Sequence, residues 1–187
     1  MLVVKNIFIA GSITIKKLDP AVQARINNMI DSGLTVLLGD ANGVDSAVQA
    51  YLHARQYQQV RVYCSGERPR YNLGAWSIAP VETTFRAGSR EYFTAKDIAM
   101  AQAADYGFMI WDQTSTGTLS NVLELLAQGK KSVISLAQQH AFLTVASVAD
   151  CEKFLSFMDA EAIAKANQKI NLSQKIHALR AKQEPLF

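Results

Sequence analysis

The chain has 187 residues, of which 49% are apolar and 19% charged, a composition typical of a globular protein that can bury a sizeable core. No apolar run approaches the roughly 20 residues that a membrane-spanning helix needs, and the net charge of +3 is too weak to indicate a nucleic-acid surface by itself. The first ten residues have too short an apolar core for a signal peptide, and Cys64 and Cys151 have no metal-ligand or redox spacing. We therefore expect a cytoplasmic protein with free thiols and with no metal, cofactor or membrane partner.

Strand-like and helix-like segments alternate along most of the chain. The nearly continuous apolar run at 3–10 predicts a strand buried on both faces. Asp19 followed by Pro20 predicts the start of a helix. The same criteria predict strands at 34–38, 60–64, 106–111 and 132–136, and helices at 20–30, 46–56, 92–104 and 119–128. This alternation predicts an α/β fold, a Rossmann-like, doubly wound parallel sheet with helices on both faces and 132–136 as its last parallel strand.

Two segments do not follow the alternation. Residues 65–88 have no clear periodicity and are rich in Gly, Pro, Arg and aromatic residues, which predicts a long functional loop. The sequence does not show whether this loop closes over a ligand. Residues 148–158 and 160–180 have helical patterns. We therefore predict a Rossmann-like nucleotide-binding domain at 1–140, followed by a C-terminal helical appendage and tail at 141–187. The appendage either packs on the sheet or serves self-association, and we expect a homo-oligomer.

Two glycine-bearing turns are the most informative part of the sequence. Residues 39–45, Gly-Asp-Ala-Asn-Gly-Val-Asp, follow the second predicted strand, and residues 112–118, Asp-Gln-Thr-Ser-Thr-Gly-Thr, follow the strand at 106–111. A strand that turns through glycine into a helix leaves backbone N–H groups free at the positive end of the helix dipole. In a parallel sheet both turns, and Gly11-Ser12 after the first strand, meet at the carboxyl edge. The sequence therefore predicts a site there for the phosphate of a nucleotide-like small molecule.

The residues of these turns, with a few neighbours, are the candidate ligand-binding residues. Asp45 is either only the cap of its helix or, like Asp40, a partner for a ribose hydroxyl or a base edge. Six arginines between 55 and 90 suit bidentate recognition of phosphate or carboxylate, although a solvated basic face has the same pattern. The full candidate set is Gly11, Ser12, Gly39, Asp40, Gly43, Asp45, Arg90, Asp112, Ser115, Gly117, Thr118 and Asn121.

Residues 39–45 resemble the G-G-x-x-G-x-D turn of the DNA-processing protein and YpsA-like families. The segment 104–118, with Gly129-Lys130-Lys131 downstream, resembles the G-G-x-G-T segment of the LOG (lysine decarboxylase-like) phosphoribohydrolases and the corresponding turn of nucleoside deoxyribosyltransferases. Residues 3–136 thus resemble the SLOG superfamily of Rossmann-like domains, which implies a nucleotide or a nucleotide-derived ligand. In LOG enzymes an Arg-Lys pair meets the phosphate, which implies Arg90 as the phosphate partner here and leaves Lys96 as a second partner or a surface residue.

One departure from the resemblance concerns the chemistry. The enzymes carry a catalytic glutamate in the first turn after the G-T pair, and here Asn121 occupies the expected position. An amide acts neither as a nucleophile nor as a general base. We therefore expect a non-catalytic sensor or regulatory module that binds a nucleotide. The alternative is a hydrolase or transferase acting on the N-glycosidic bond of nucleotides, with Glu124, Asp112 or Asp45 as the working carboxylate.

The C-terminal residues suggest a further alternative. Gln183, Leu186 and Phe187 resemble the short bacterial peptide that binds the sliding clamp, in which a Gln and a terminal Leu-Phe pair occupy pockets. This resemblance implies a DNA-metabolism adaptor that uses its tail, with the Rossmann-like domain as scaffold. A frayed C-terminus has the same composition.

Overall fold

The sheet is the centre of the computed structural model, which describes residues 4–183. Its strands lie in the order β4-β3-β2-β1-β5-β6-β7, and every neighbouring pair is parallel except β6 and β7. The chain order therefore reverses between β1 and β5, which confirms the predicted doubly wound α/β architecture. The strands are β1 (Asn6–Gly11), β2 (Thr35–Leu38), β3 (Val60–Ser65), β4 (Ser77–Val81), β5 (Tyr106–Trp111), β6 (Ser132–Leu136) and β7 (Ala141–Val145).

Helices cover both faces of the sheet because successive strand residues point to opposite sides. Ile7 and Ile9 pack with α1 and α2, whereas Phe8 and Ala10 pack with α3 and α4. No helix within residues 4–183 is long and apolar enough to cross a bilayer. The helices are α1 (Pro20–Asp31), α2 (Val44–Ala54), α3 (Arg90–Ala103), α4 (Thr116–Ala127), α5 (Val148–Leu155), α6 (Ala160–Ile170) and α7 (Leu172–Gln183).

The expected C-terminal helices are present and pack against the core on the side of α4. Phe154 of α5 lies against Trp111, with 4.3 Å between the ring centroids, and Ala166 and Ile176 belong to the same apolar cluster. The single helical stretch predicted at 160–180 is in fact two helices. Asn171 adopts the left-handed conformation, with φ of 53°, and ends α6 before α7 begins.

Two edge strands were not predicted. β4 lies within the segment 65–88 that we expected to be a loop, and β7 lies at the start of the segment 141–187 that we expected to be helical. Because β7 is antiparallel to β6, β6 is the last parallel strand, as predicted. Both carry exposed residues and therefore lack the continuous apolar run of the central strands. Pro80 within β4 suits an edge position because proline has no N–H to donate to a further strand.

Candidate ligand-binding cleft

A cleft of about 240 Å³ opens at the carboxyl edge of the sheet, beside the ends of β1, β2 and β5. Gly11, the last residue of β1, and Ile13 are among its lining residues. Two different groups of residues line the cleft. We call them the α4 wall, formed by Ser115, Gly117, Thr118 and Asn121, and the charged wall, formed by Asp45, Arg70, Lys96 and Asp97.

The first turn of α4 is built from the predicted glycine turn itself. α4 begins at Thr116, three residues earlier than predicted, because the Ser115 hydroxyl accepts a hydrogen bond from the backbone N–H of Thr118 (3.3 Å) and caps the helix. Within the part of the chain that the structure describes, the backbone amides of Thr116 and Gly117 have no hydrogen-bond acceptor. The α4 wall therefore carries free donors at the positive end of a helix.

Asn121 lies one turn further along the α4 wall. Only 7% of the residue is exposed, and it lines the cleft. Its side-chain amide has no hydrogen-bond partner among residues 4–183, whereas the neighbouring Thr118 hydroxyl donates to Ser115 Oγ (3.1 Å). Buried polar side chains are usually paired in folded proteins. Asn121 is not among the described side chains whose fully enclosed atoms lack a partner, which are Gln113 and Ser132, so its amide is open to the cleft.

Ser12 and Asp112 hold the loop after β1 against the loop after β5, and neither lines the cleft. The carboxylate of Asp112 accepts the hydroxyl of Thr14 (2.7 Å) and the backbone N–H of Ser115 (2.7 Å). The Ser12 hydroxyl accepts the backbone N–H of Asp112 (3.0 Å). Burial alone would raise the pKa of Asp112, but the hydrogen bonds to Thr14 and to the following amides outweigh it, so that the pKa is lowered.

Together with Asp40, which does not line the cleft, the charged wall forms a network of ion pairs. Asp40 and Lys96 are each only 4% exposed. One oxygen of Asp40 accepts Arg70 Nη2 (2.8 Å), and the other accepts the backbone N–H (2.9 Å) and Nε (3.2 Å) of Arg70. The Lys96 ammonium lies 2.9 Å from Asp97 Oδ1 and 4.0 Å from Asp40 Oδ1. Both oxygens of Asp40 are thus occupied by the protein.

The titration of the charged wall follows from this pairing. For Asp40, burial raises the pKa, but hydrogen bonds from Arg70 and the charge of Lys96 outweigh it and the pKa is lowered. For Lys96, burial lowers the pKa, but the surrounding carboxylates, Asp97 first, outweigh it and the pKa is raised. For Asp45, burial dominates and raises the pKa to about 6. Asp45 is therefore the group of the cleft that titrates closest to neutral pH.

Lys96 is buried, which excludes the interpretation that it is a surface residue. The burial of Lys96 could have been predicted from helical spacing, because Lys96 lies three residues after Phe93 and four before the buried Met100 on α3. Residues at this spacing share one face of a helix. Phe93, which also lines the cleft, was not predicted, and Arg70 was predicted only as one of the six arginines that suit phosphate or carboxylate. The Arg70 guanidinium lies over the Phe93 ring, 4.5 Å from its centroid, so the two side chains form one packed unit.

Three of the predicted glycines allow close packing at the edge of the sheet. A Cβ on Gly11 would collide with the carbonyl oxygen of Ile110, and a Cβ on Gly39 would lie 2.8 Å from the Lys96 ammonium and collide with the Asp45 carboxylate. Gly43 caps α2 with φ of +83°. Gly117 is different, because a Cβ there would meet nothing closer than 3.9 Å.

Asp45 is the one predicted catalytic candidate that lines the cleft in the described chain. It is not the cap of α2, since that position belongs to Gly43, and one of its oxygens accepts the backbone N–H of Ala41 (3.0 Å). Glu124 lines a separate groove between α4 and α7 and accepts Nε2 of Gln128 (2.8 Å).

The remaining predicted residues lie beside the cleft or beyond the described range. Arg90 is exposed at the start of α3 and donates to the Thr116 hydroxyl (3.4 Å), which places its guanidinium next to the first turn of α4. Residues 4–183 contain no group of three or more His, Cys, Asp or Glu side chains that could hold a metal ion. Leu186, Phe187 and the side chain of Gln183 lie outside the described residues.

No protein-family model and no curated protein matches this sequence. The chain is similar in structure to DNA processing protein A from Helicobacter pylori, whose structure was solved to show how that protein binds single-stranded DNA. The likeness has a TM-score of 0.53 at 18% sequence identity and covers 70% of this chain, which spans 64% of the length of the other. The chain therefore shares the Rossmann-like α/β fold of DNA processing protein A.

Proposed function

We propose that this chain binds a nucleotide at the cleft, with the phosphate against the first turn of α4. The observation that carries the proposal is the first turn of α4, where the backbone amides of Thr116 and Gly117 have no acceptor and the unpaired side-chain amide of Asn121 lines the same cleft as Gly117. A helix N-terminus with free N–H groups attracts an anion. Because Gly117 has no side chain, a phosphate can approach the backbone closely.

Positive charge for the phosphate comes from Arg90. Its guanidinium is already within hydrogen-bond distance of Thr116, at the free end of α4. The pairing of the charged wall supports this assignment, since Arg70 is committed to Asp40 and the Lys96 ammonium to Asp97. Arg90 is therefore the arginine best placed to pair with a phosphate, since it has no carboxylate partner among the described residues.

The nature of the cleft favours binding without turnover. Asn121 stands where the resembling enzymes carry a glutamate, and Glu124 faces another groove. Asp45 is the remaining carboxylate, and one of its oxygens is held by the Ala41 amide. We accordingly propose a sensor or regulatory role, and the formation of free base from a nucleotide would contradict it.

A second candidate is a role in DNA metabolism, and the structural likeness favours it over nucleotide sensing. The similar protein binds single-stranded DNA. In this chain Phe85, 54% exposed, and Arg86 lie in the exposed segment that leads to Arg90. Aromatic and arginine side chains are the usual contacts for single-stranded nucleic acid. The clamp-binding role of Gln183, Leu186 and Phe187 stays a prediction.

The test compares nucleotides with single-stranded DNA on one set of proteins. Affinities for the four ribonucleoside 5′-monophosphates are measured by calorimetry, and affinity for a labelled thymine 12-mer by fluorescence anisotropy. Gly117→Asp places a carboxylate in front of the free amides, and Ala164→Asp on the exposed face of α6 adds the same charge elsewhere.

We expect mononucleotide binding that falls at least about tenfold in Gly117→Asp and not in the α6 variant, because a like charge repels the phosphate. Gly117→Asp is expected to fold, since a carboxylate is favourable in the first turn of a helix. Binding of the 12-mer alone would favour the second candidate. Binding of neither ligand would contradict both.

A further inference from the structure

Asn121 is the buried side chain of the α4 wall whose hydrogen-bonding groups the described protein leaves unused. From this we infer that Asn121 pairs with a sugar hydroxyl, so that the cleft selects a ribonucleotide 5′-phosphate over its deoxyribonucleotide counterpart. The inference rests on the nucleotide binding proposed above and names the class of nucleotide.

The chemistry of the amide distinguishes a hydroxyl from a phosphate. A carboxamide offers both a donor and an acceptor, and so does a hydroxyl group. Phosphate oxygens at neutral pH mainly accept, so a phosphate would satisfy only the donor half of Asn121. A hydroxyl satisfies both halves.

The position of Asn121 on the helix would place it next to the sugar of a bound nucleotide rather than next to the base. Asn121 is four residues beyond Gly117, and four residues of an α-helix rise by about 6 Å. A phosphate at the first turn is joined to the sugar through one ester oxygen, so the sugar is the next group along the cleft. The base lies beyond the sugar and further from the phosphate.

The volume of the cleft also suits a phosphate and a sugar rather than a whole nucleotide. Its volume of about 240 Å³ is below the range of about 300–1,000 Å³ that is typical of pockets for whole drug-sized ligands. A phosphate and a sugar use this space, and the base then lies towards the opening. Ile13, 64% exposed, and Phe93 line the cleft and offer apolar contacts to a base there.

Asp45 adds an acceptor for a second hydroxyl. Its Oδ2 accepts the backbone N–H of Ala41, and its Oδ1 has no hydrogen-bond partner among the described residues. Asp40 lacks this capacity because Arg70 occupies both of its oxygens. Asn121 and Asp45 thus line the same cleft, and each offers a group that can pair with a ribose hydroxyl.

DNA would leave these groups unused. Its sugar has no 2′-hydroxyl, and within a strand the 3′-oxygen is esterified and cannot donate. A site built to pair with a hydroxyl discriminates against the analogue that lacks it, because its own polar groups then stay unpaired.

The experiment measures affinity ratios. Calorimetry at one pH and salt concentration gives dissociation constants for the four ribonucleoside 5′-monophosphates and for their 2′-deoxy counterparts. Asn121→Leu replaces the amide by an apolar group of similar size, and Asn121→Ala is a second variant in case the first one folds poorly. Ser120→Ala, on the same turn of α4 but outside the cleft lining, is the matched control.

We expect the wild type and Ser120→Ala to bind the best ribonucleotide at least about tenfold more tightly than its deoxy counterpart. The ratio is expected to fall towards one in the Asn121 variants. Equal affinities in the wild type, or a preference that persists in both Asn121 variants, would overturn the inference and leave the nucleotide site standing. Binding of no nucleotide would overturn the proposed function and the inference with it.

Discussion

The two walls of the cleft differ in how far their polar groups are paired within the protein. The charged wall carries four ionisable groups, Asp45, Arg70, Lys96 and Asp97, and most of them are paired with one another or with the adjacent Asp40. The α4 wall carries no charge at all, but it leaves backbone amides and a side-chain amide without partners in the described chain. Charge and free hydrogen-bonding capacity therefore belong to different residues of this cleft.

The difference assigns separate roles to the walls. Buried charges must be paired, and once paired they have little left to offer a ligand. Unpaired neutral donors retain their full capacity, and the helix dipole gives them a preference for anions. We therefore expect changes in the charged wall to act mainly on stability and changes in the α4 wall to act mainly on binding.

The largest effect is expected from Lys96→Met. This change keeps the length of the side chain but leaves the carboxylates of Asp97, Asp45 and Asp40 without their buried cation. Breaking a buried ion pair on one side costs about 3–5 kcal/mol. Urea unfolding at neutral pH measures the loss in the free energy of unfolding.

Lys165→Met is the control for this experiment, since Lys165 is exposed on α6 and its replacement is expected to change stability by less than about 0.5 kcal/mol. A loss below about 1 kcal/mol in Lys96→Met would mean that the network is hydrated and that the charged wall does not hold the fold.

The second effect concerns Asp45 and pH. Its folded pKa of about 6 lies above the ordinary value of 3.8, so the folded protein binds this proton more readily than the unfolded chain does. The stability that the protonated group contributes is fully present below about pH 4 and is lost as the pH rises through about 6. A shift of this size corresponds to about 3 kcal/mol.

Asp45→Asn removes the titration, because the amide stays neutral. We expect the free energy of unfolding of the variant to rise relative to the wild type by about 2–3 kcal/mol between pH 4 and pH 7.5. Denaturant unfolding across this range measures the difference. Glu161→Gln, an exposed change on α6, provides the baseline, and parallel curves for Asp45→Asn and the wild type would contradict the assignment of burial as the cause.

The division between the walls also explains how far the sequence alone could predict the molecule. The central strands and the position of a cleft at the carboxyl edge were predictable because apolar runs and glycine turns are local signals. Gly117, Thr118, Asn121 and Asp45 all line this cleft. The partners of Lys96 come from separate segments, so its burial depends on the tertiary structure. The edge strands β4 and β7 were missed because partial exposure removes the apolar run that marks a buried strand.

The pairing of Asp40 could also not be predicted from the sequence, because its partner lies in a separate segment. In the sequence Asp40 and Asp45 are equivalent acidic residues of one turn, and both were assigned to a ligand. In the structure Arg70, thirty residues away, donates to both oxygens of Asp40, whereas Asp45 Oδ1 has no hydrogen-bond partner among the described residues. A local motif can thus locate a site, but the tertiary contacts decide which of its residues remain available.

The smallest expected effect is a difference in stability between alanine substitutions at two glycines of the cleft, Gly11 and Gly117. Gly11→Ala forces a methyl group against the Ile110 carbonyl oxygen and within 2.6 Å of Val44 Cγ2, which is overpacking of about 1–3 kcal/mol. Gly117→Ala places its methyl in open space within a helix, where alanine is favoured over glycine by about 0.5–1 kcal/mol. Urea midpoints are therefore expected to move in opposite directions.

Binding provides the second half of this prediction. In Gly117→Ala the methyl group stands in front of the free amides of the α4 wall, so we expect weaker binding of nucleoside monophosphates in a protein that is at least as stable as the wild type. If Gly117→Ala instead loses stability as Gly11→Ala does, then the first turn of α4 is packed rather than open. The free amides would then be a feature of the fold and not a phosphate site, because a ligand could not reach them without moving the helix.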